Sequence, residues 1–352
     1  MHSDNPPDNG DVMAALRRMG LAASGETVCL EPLAGGVSSD IFVARLPGGP
    51  VCVKRALARL KVAAEWRAPT ERNRYEAAYL RFAAAVVPGA VPEVLAADEE
   101  SLAFAMPYLD PATHPVWKQL LRDGHTDPEF ARRVGQVLAR IHAASADRAD
   151  LAREFATDAN FHAIRLEPYL EATAQAHPDL APILLAVSAR TACTRRALVH
   201  GDVSPKNILA GPHGPVLLDA ECAWFGDPAF DLAFCLNHLL LKAVWRPAHR
   251  EGYARCFDTL AAAYLSAVCW EPAADLEMRA STLLPGLLLA RIDGKSPVEY
   301  LRASANREWV RGFSRHWLAA APGAGGTQRG RLAPLADAWY RGLAQHPPSR
   351  ED

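Results

Sequence analysis

Apolar positions follow two different rhythms along this chain. In the first third they alternate, as half-buried strands do. The stretches "ETVCLEPLA" (26–34), "VSSDIFVARL" (37–46) and "PVCVKRA" (50–56) read as three strands, the last two joined by a turn at "PGG". A helical spacing follows in "TERNRYEAAYLRFAAA" (70–85), with Thr70 as its expected cap, and "PEVLAAD" (92–98) and "SLAFAMPYL" (101–109) add two short strands. From about residue 127 the period becomes helical, over 127–145, 180–196, 228–243, 251–268, 272–291, 297–318 and, last, 332–345. One interruption stands out: "NILA" and "PVLLD" flank the turn "GPHG" and form a small hairpin inside the helical part. The pattern predicts an α+β fold of two lobes, with a small antiparallel sheet lobe over 1–108 and a larger, mainly helical lobe over 109–352.

Composition narrows the picture. The chain of 352 residues is half apolar and carries a formal net charge of −2, which suits one large or two moderate cores and gives no electrostatic footprint for nucleic acid or an anionic membrane. No apolar run reaches the ~18–20 residues of a spanning helix. The opening "MHSDNPPDNGD" is polar and proline-rich, unlike a signal peptide, and 1–10 and 320–330 read as disordered and flexible. The seven cysteines include no CxxC pair, which fits reduced thiols. A cytoplasmic, soluble protein is expected; its oligomeric state is left open.

The hairpin lies inside "LVHGDVSPKNILAGPHGPVLLDAECAWFGDPAFDLA" (198–233), where acceptor oxygens interrupt runs that want burial. Asp202 and Asn207 are five apart, the interval of a kinase catalytic loop, and Asp219 closes the second strand twelve residues later. Phosphoryl transfer needs hard oxygen ligands for magnesium and a group that orients the acceptor hydroxyl. Asn207 and Asp219 can share a Mg²⁺ that bridges phosphates, with Asp202 meeting the hydroxyl. Any one of these residues alone would more often cap a turn; the set points to chemistry.

"HGDVSPKNIL", "LLDAE" and "GDPAFDLA" together resemble the aminoglycoside phosphotransferase and choline kinase-like superfamily, small-molecule relatives of protein kinases. The resemblance implies Asp202 as catalytic base, Asn207 and Asp219 as magnesium ligands, and a buried Asp231 that accepts hydrogen bonds from the catalytic-loop backbone, with His200 as a scaffold residue. It also implies a protein-kinase-like lobe that holds ATP, or GTP. Lys54 would meet the α- and β-phosphates and need a buried partner, Glu76, or Glu71 as the alternative. Gly35 and Gly36, with the backbone up to Ser38 and Ser39, would approach the phosphates. Met106 or Tyr108 would offer the backbone donor to adenine, since Pro107 has no N–H. Lys206 either reaches the transferring phosphate or points to solvent.

"DGKSP" (293–297) carries the end of a phosphate-binding loop motif without its first glycine; a helix break at Gly294, with Ser296 capping and Pro297 opening the next helix, accounts for it. Arg291, Asp293 and Lys295 there, with Glu221 and Lys206, are candidates for acceptor binding; Asn237 and His238 are weaker ones. The expected activity is transfer of phosphate to a hydroxyl of a small molecule. Aminoglycosides, macrolides, choline-like amines, homoserine and methylthioribose all stay open. Two rivals are a protein kinase and a non-catalytic nucleotide-binding protein. Against the first, only eleven residues separate Asp219 from Asp231, and Gly201 stands where an arginine would answer a phosphorylated loop.

Overall fold

The computed structural model describes residues 9–33, 39–56, 71–320, 330–346 and 348–349. In chain order these form α1 (Asn9–Arg18), β1 (Cys29–Pro32), β2 (Ser39–Leu46), β3 (Gly49–Ala56), α2 (Arg72–Val86), β4 (Ala96–Asp98), β5 (Ala103–Pro107), α3 (Trp117–Arg122), α4 (Pro128–Ser145), α5 (Ala149–Glu154) and α6 (Asp158–Phe161). A π-helical stretch, His162–Glu171, runs into α7 (Ala172–Ala176) and α8 (Ala181–Cys193). Then come β6 (Ala197–Val199), β7 (Ile208–Gly211), β8 (Gly214–Leu217), β9 (Trp224–Gly226), α9 (Ala229–Trp245), α10 (Arg250–Ser266), α11 (Ala273–Asp293), α12 (Ser304–Ala319) and α13 (Leu332–Gln345).

The two-lobed α+β plan read from the sequence is the one observed. Five antiparallel strands, in the order β1-β2-β3-β5-β4, make the sheet, and helices make the larger body. Alternation along β3 buries Val51 and Val53 in the cluster of Phe42, Ala44 and Ala105 on one face of the sheet. Lys54, one residue on, turns to the other face, toward α2. In the helical body α9 is the axis. Every one of its 17 residues is buried, with α10 and α11 packed along it and α4 against α10. A Cβ on Gly135 of α4 would stand 2.5 Å from the Leu260 carbonyl of α10, so the close crossing of these two helices needs glycine.

Two expectations change. The first helix, α1, was not anticipated: Val12, Ala15 and Leu16 sit at helical spacing behind the polar opening and pack on the sheet. The helix expected from Pro297 begins at Ser304, and Ser296 caps nothing there. Instead the Arg291 side chain bonds Ser296, and the Val298 N–H donates to the Arg291 carbonyl at 2.8 Å, folding 294–303 back on the end of α11. The break itself falls at Gly294, as read. Pro168, a helix breaker by rule, sits within the π-helical stretch, whose wider turns tolerate it. Thr70 lies outside the described residues, as do most of 1–10 and 320–330.

Candidate active site

β6 delivers the chain to a loop whose backbone is pinned from below. The Asp231 carboxylate, in the first turn of α9 and fully buried, accepts the N–H groups of His200 at 2.7 Å and Gly201 at 2.8 Å. Its remaining contact is His142 Nε2 at 3.2 Å, and His142 Nδ1 in turn meets the Tyr264 hydroxyl at 2.7 Å. Gly201 has φ +78°, and a Cβ there would lie 2.7 Å from Cys222. Only glycine fits. His200 is a strut: Nδ1 accepts the Asp202 N–H at 3.2 Å and Nε2 donates to the Leu218 carbonyl at 3.1 Å, which fixes the tautomer. Burial pushes its pKa down, so the ring is neutral.

These ties aim Asp202 into a cavity. Arg165 Nη2 lies 2.9 Å from Asp202 Oδ2, and Lys206 Nζ, half exposed, lies 3.3 Å from the same oxygen. Burial opposes ionisation of Asp202, but Lys206 and Arg165 outweigh it and hold the carboxyl well below the usual range. It is therefore a fixed anion, suited to orienting a hydroxyl. Asn207 is joined to the same loop. Its Nδ2 donates to the Asp202 carbonyl at 3.1 Å, and its own carbonyl accepts the Leu218 N–H at 2.8 Å, one residue before Asp219. Asp219 adopts φ +67°, a left-handed conformation that costs a non-glycine residue energy.

From the sheet, Lys54 reaches both acids. Its Nζ lies 2.8 Å from Glu76 on α2 and is ion-paired with Asp219. Glu76, rather than Glu71, is the partner. Burial opposes charge on Lys54, but Asp219 and Glu76 more than compensate and raise its pKa; Glu76, where burial outweighs Lys54, is pushed up to about 7. Beside them Glu221 pairs with Arg72 Nε at 3.0 Å.

The two backbone donors expected for adenine both turn toward β3. The Tyr108 N–H donates to the Pro50 carbonyl at 3.2 Å, and ladder alternation turns the backbone of Met106, opposite Cys52, toward β3 as well. The backbone of Pro107 faces the other way. Gly35, Gly36 and Ser38 lie outside the described residues.

A cavity of ≈ 300 Å³ opens beside Asp202, lined among others by Lys206, Glu221 and Arg291 from the sequence-stated candidates. Asp293 and Lys295 are not in its wall. Asp293 is clamped by Arg311 (2.7 Å) and His177 (3.0 Å), and Lys295 pairs with Glu167. Asn237 donates to the Phe234 carbonyl within its own helix, whereas His238 does line the cavity. Sequence reading missed Arg165, which has no local signature because the π-helical turn carries it to the loop. It also missed Lys242, whose signal was a lone cation in the apolar run "LLLKAVW".

Among the described residues no group of three or more His, Cys, Asp or Glu side chains is arranged to hold a metal ion. A divalent cation here would take oxygens from Asn207 and Asp219 and fill its shell with phosphate and water. That donor set fits Mg²⁺.

Residues 30–335 match the model of the phosphotransferase enzyme family. The methylthioribose kinase of Geobacillus sp. (strain WCH70) is 26% identical over 273 residues, covering 69% of this chain and 67% of that protein. Methylthioribose kinase 1 of Oryza sativa subsp. japonica is 22% identical over 261 residues, 66% of this chain and 60% of its own. The chain thus spans about two thirds or less of these relatives. In fold it is similar to an ethanolamine kinase of Plasmodium vivax, with a TM-score of 0.50 at 13% identity over 82% of this chain and 81% of that one.

Proposed function

Because the chain belongs to the phosphotransferase enzyme family, we propose that it is an ATP-dependent kinase that moves the γ-phosphoryl group to a hydroxyl of a small molecule. Residues 1–108 hold the nucleotide and residues 109–352 hold the acceptor. The observation that carries this reading is the convergence of Lys54, Glu76, Asp219 and the Asp202–Asn207 loop on one cleft. Lys54, steered by Glu76, takes the α- and β-phosphates, and the Leu109 N–H meets adenine. Mg²⁺, when held by Asn207 and Asp219, neutralises charge on the phosphates. Asp202 accepts a hydrogen bond from the acceptor hydroxyl and aligns its oxygen for in-line attack. With its pKa held low, it takes the proton only as the new P–O bond forms. Arg165 and Lys206 keep that carboxylate in place.

The methylthioribose kinases among its relatives make a sugar-like hydroxyl a reasonable acceptor. A coupled assay for ADP release against a panel of small alcohols tests the proposal, with Asp202→Asn as the blank. ADP release that needs an acceptor and is lost in the blank supports it; equal release by both proteins refutes it.

A further inference from the structure

The cavity that Asp202 lines also holds polar groups with no hydrogen-bond partner among the described residues. Lys242 is 1% exposed, and among the described residues its Nζ has no hydrogen-bond partner. The same holds for His238 Nε2, the Tyr300 hydroxyl and Arg291 Nε. All four side chains line the cavity that Asp202 lines. Buried donors of this kind are rarely left empty, because each has given up its water.

Lys242 does have aromatic neighbours. Its Nζ lies 4.8 Å from the Tyr300 ring centroid and 5.0 Å from that of Trp245, and the two rings stack at 4.6 Å. Ring faces attract a cation, but they do not replace the directed acceptors an ammonium loses on burial. Among the charged neighbours Glu299 favours the ammonium, but it is paired elsewhere. Lys118 is spent on Glu299, Arg165 and Lys206 on Asp202, and Glu221 on Arg72. Neither Lys242 nor Arg291 forms an ion pair among the described residues. Burial, together with Lys118, pulls the Lys242 pKa down to about 7. The cavity therefore combines unfilled donors, a guanidinium outside any ion pair among the described residues and a lysine that a bound anion would hold charged with the fixed carboxylate of Asp202.

We propose that the acceptor is an anion: a small hydroxylated molecule whose carboxylate or phosphate group docks on Lys242, His238 and Tyr300 while its hydroxyl meets Asp202. This rests on the kinase reading and narrows its sugar-like acceptor to one that carries an acid group, unlike the sugar of the methylthioribose kinases. A cationic amine would meet Lys242 and Arg291 with like charge, and a neutral polyol would leave the ammonium without a counter-ion.

The test follows thermal denaturation of the full chain, with saturating ADP, against four matched sets. They are glycerate and gluconate; glycerol 3-phosphate and glucose 6-phosphate; glycerol and glucose; ethanolamine and choline. A rise in Tm is expected with carboxylates or with phosphate esters and not with their neutral or cationic counterparts, and the set that responds identifies the anion. Lys242→Met, of similar length and without charge, should weaken that binding by at least about tenfold. Its Tm without ligand reports that it folds. The inference is overturned by no rise with any acid at millimolar concentration, by equal rises with neutral or cationic compounds, or by an acid effect that survives in Lys242→Met. ADP release on ethanolamine or choline would sink the anion and leave phosphotransfer standing. Acid binding without ADP release from any bound acid would do the reverse.

Discussion

Lys54 on β3 and Asp219, 165 residues further along, form an ion pair that ties the sheet to the turn beyond β8, while the same ammonium holds Glu76. One cation thus serves two carboxylates, and its removal leaves Glu76 without its counter-ion and Asp219 with Lys206 alone. Lys54→Met should cost about 3–5 kcal/mol near neutral pH. The sign with pH follows from Glu76, whose folded pKa is raised from 4.5 to about 7 even with Lys54 present. Its stabilising share is complete below pH 4.5 and is lost as pH climbs through the folded value. Without Lys54 that folded value rises further, so the deficit should be small near pH 4.5 and widen toward pH 8. Urea titrations at several pH values measure it; a deficit flat with pH would count against the shared-cation account.

Gly201→Ala forces an L side chain into φ +78° and against Cys222. A loss of about 1–3 kcal/mol is expected. Because Asp231 pins this same residue, turnover should fall with it, as ADP release and chemical denaturation of one preparation can show.

Asp202→Asn keeps the shape of the loop and removes the anion that meets the hydroxyl. kcat should drop by about 10²–10⁴, with ADP affinity unchanged in a calorimetric titration. An equal loss of ADP affinity would move Asp202 from the acceptor to the nucleotide.

Leu109→Pro removes the N–H proposed to meet adenine and fixes φ at that position. The KM for ATP should rise about three- to tenfold, the worth of one hydrogen bond, with kcat nearly kept. The same substitution at Tyr108 breaks its bond to Pro50 and should cost stability instead.

Lys242→Met should change how stability depends on pH. The folded pKa of Lys242 is depressed from 10.5 to about 7 by burial and by Lys118, with smaller like-charge contributions from Arg122 and Arg246, against the pull of Glu299. Its contribution is therefore present above pH 10.5 and lost as pH falls through 7. The variant should outlast the wild type by a few kcal/mol at pH 7, and the advantage should shrink toward pH 10. Melting curves of the two proteins across that range decide it.

Much of the architecture was legible because burial leaves a period. α13 runs over Leu332–Gln345, as its spacing indicated, and α9 to α11 begin and end within a few residues of their expected bounds. The spacing of Asp202, Asn207, Asp219 and Asp231 was legible for a related reason: polar residues inside apolar runs stand out. What escaped lacked a local signal. α1 hid behind a polar opening, and the loop before α12 is held by Arg291, a contact no window of sequence contains. Arg165 looks like any surface arginine until the fold brings Gly201 and Asp202 beneath it.

The π-helical stretch gives that arginine an unusual dependence. An α-helix turns about 100° per residue, so wide turns reflect a surplus residue whose deletion would swing everything on one side of it around the axis. Removing Pro168 alone would carry Arg165 out of phase with α7 and α8 and draw it away from Asp202 and the Gly201 carbonyl, with no residue of that loop changed. Single-residue insertions and deletions in this helix, more than substitutions in the cavity, offer this scaffold a route for trading one guest molecule for another.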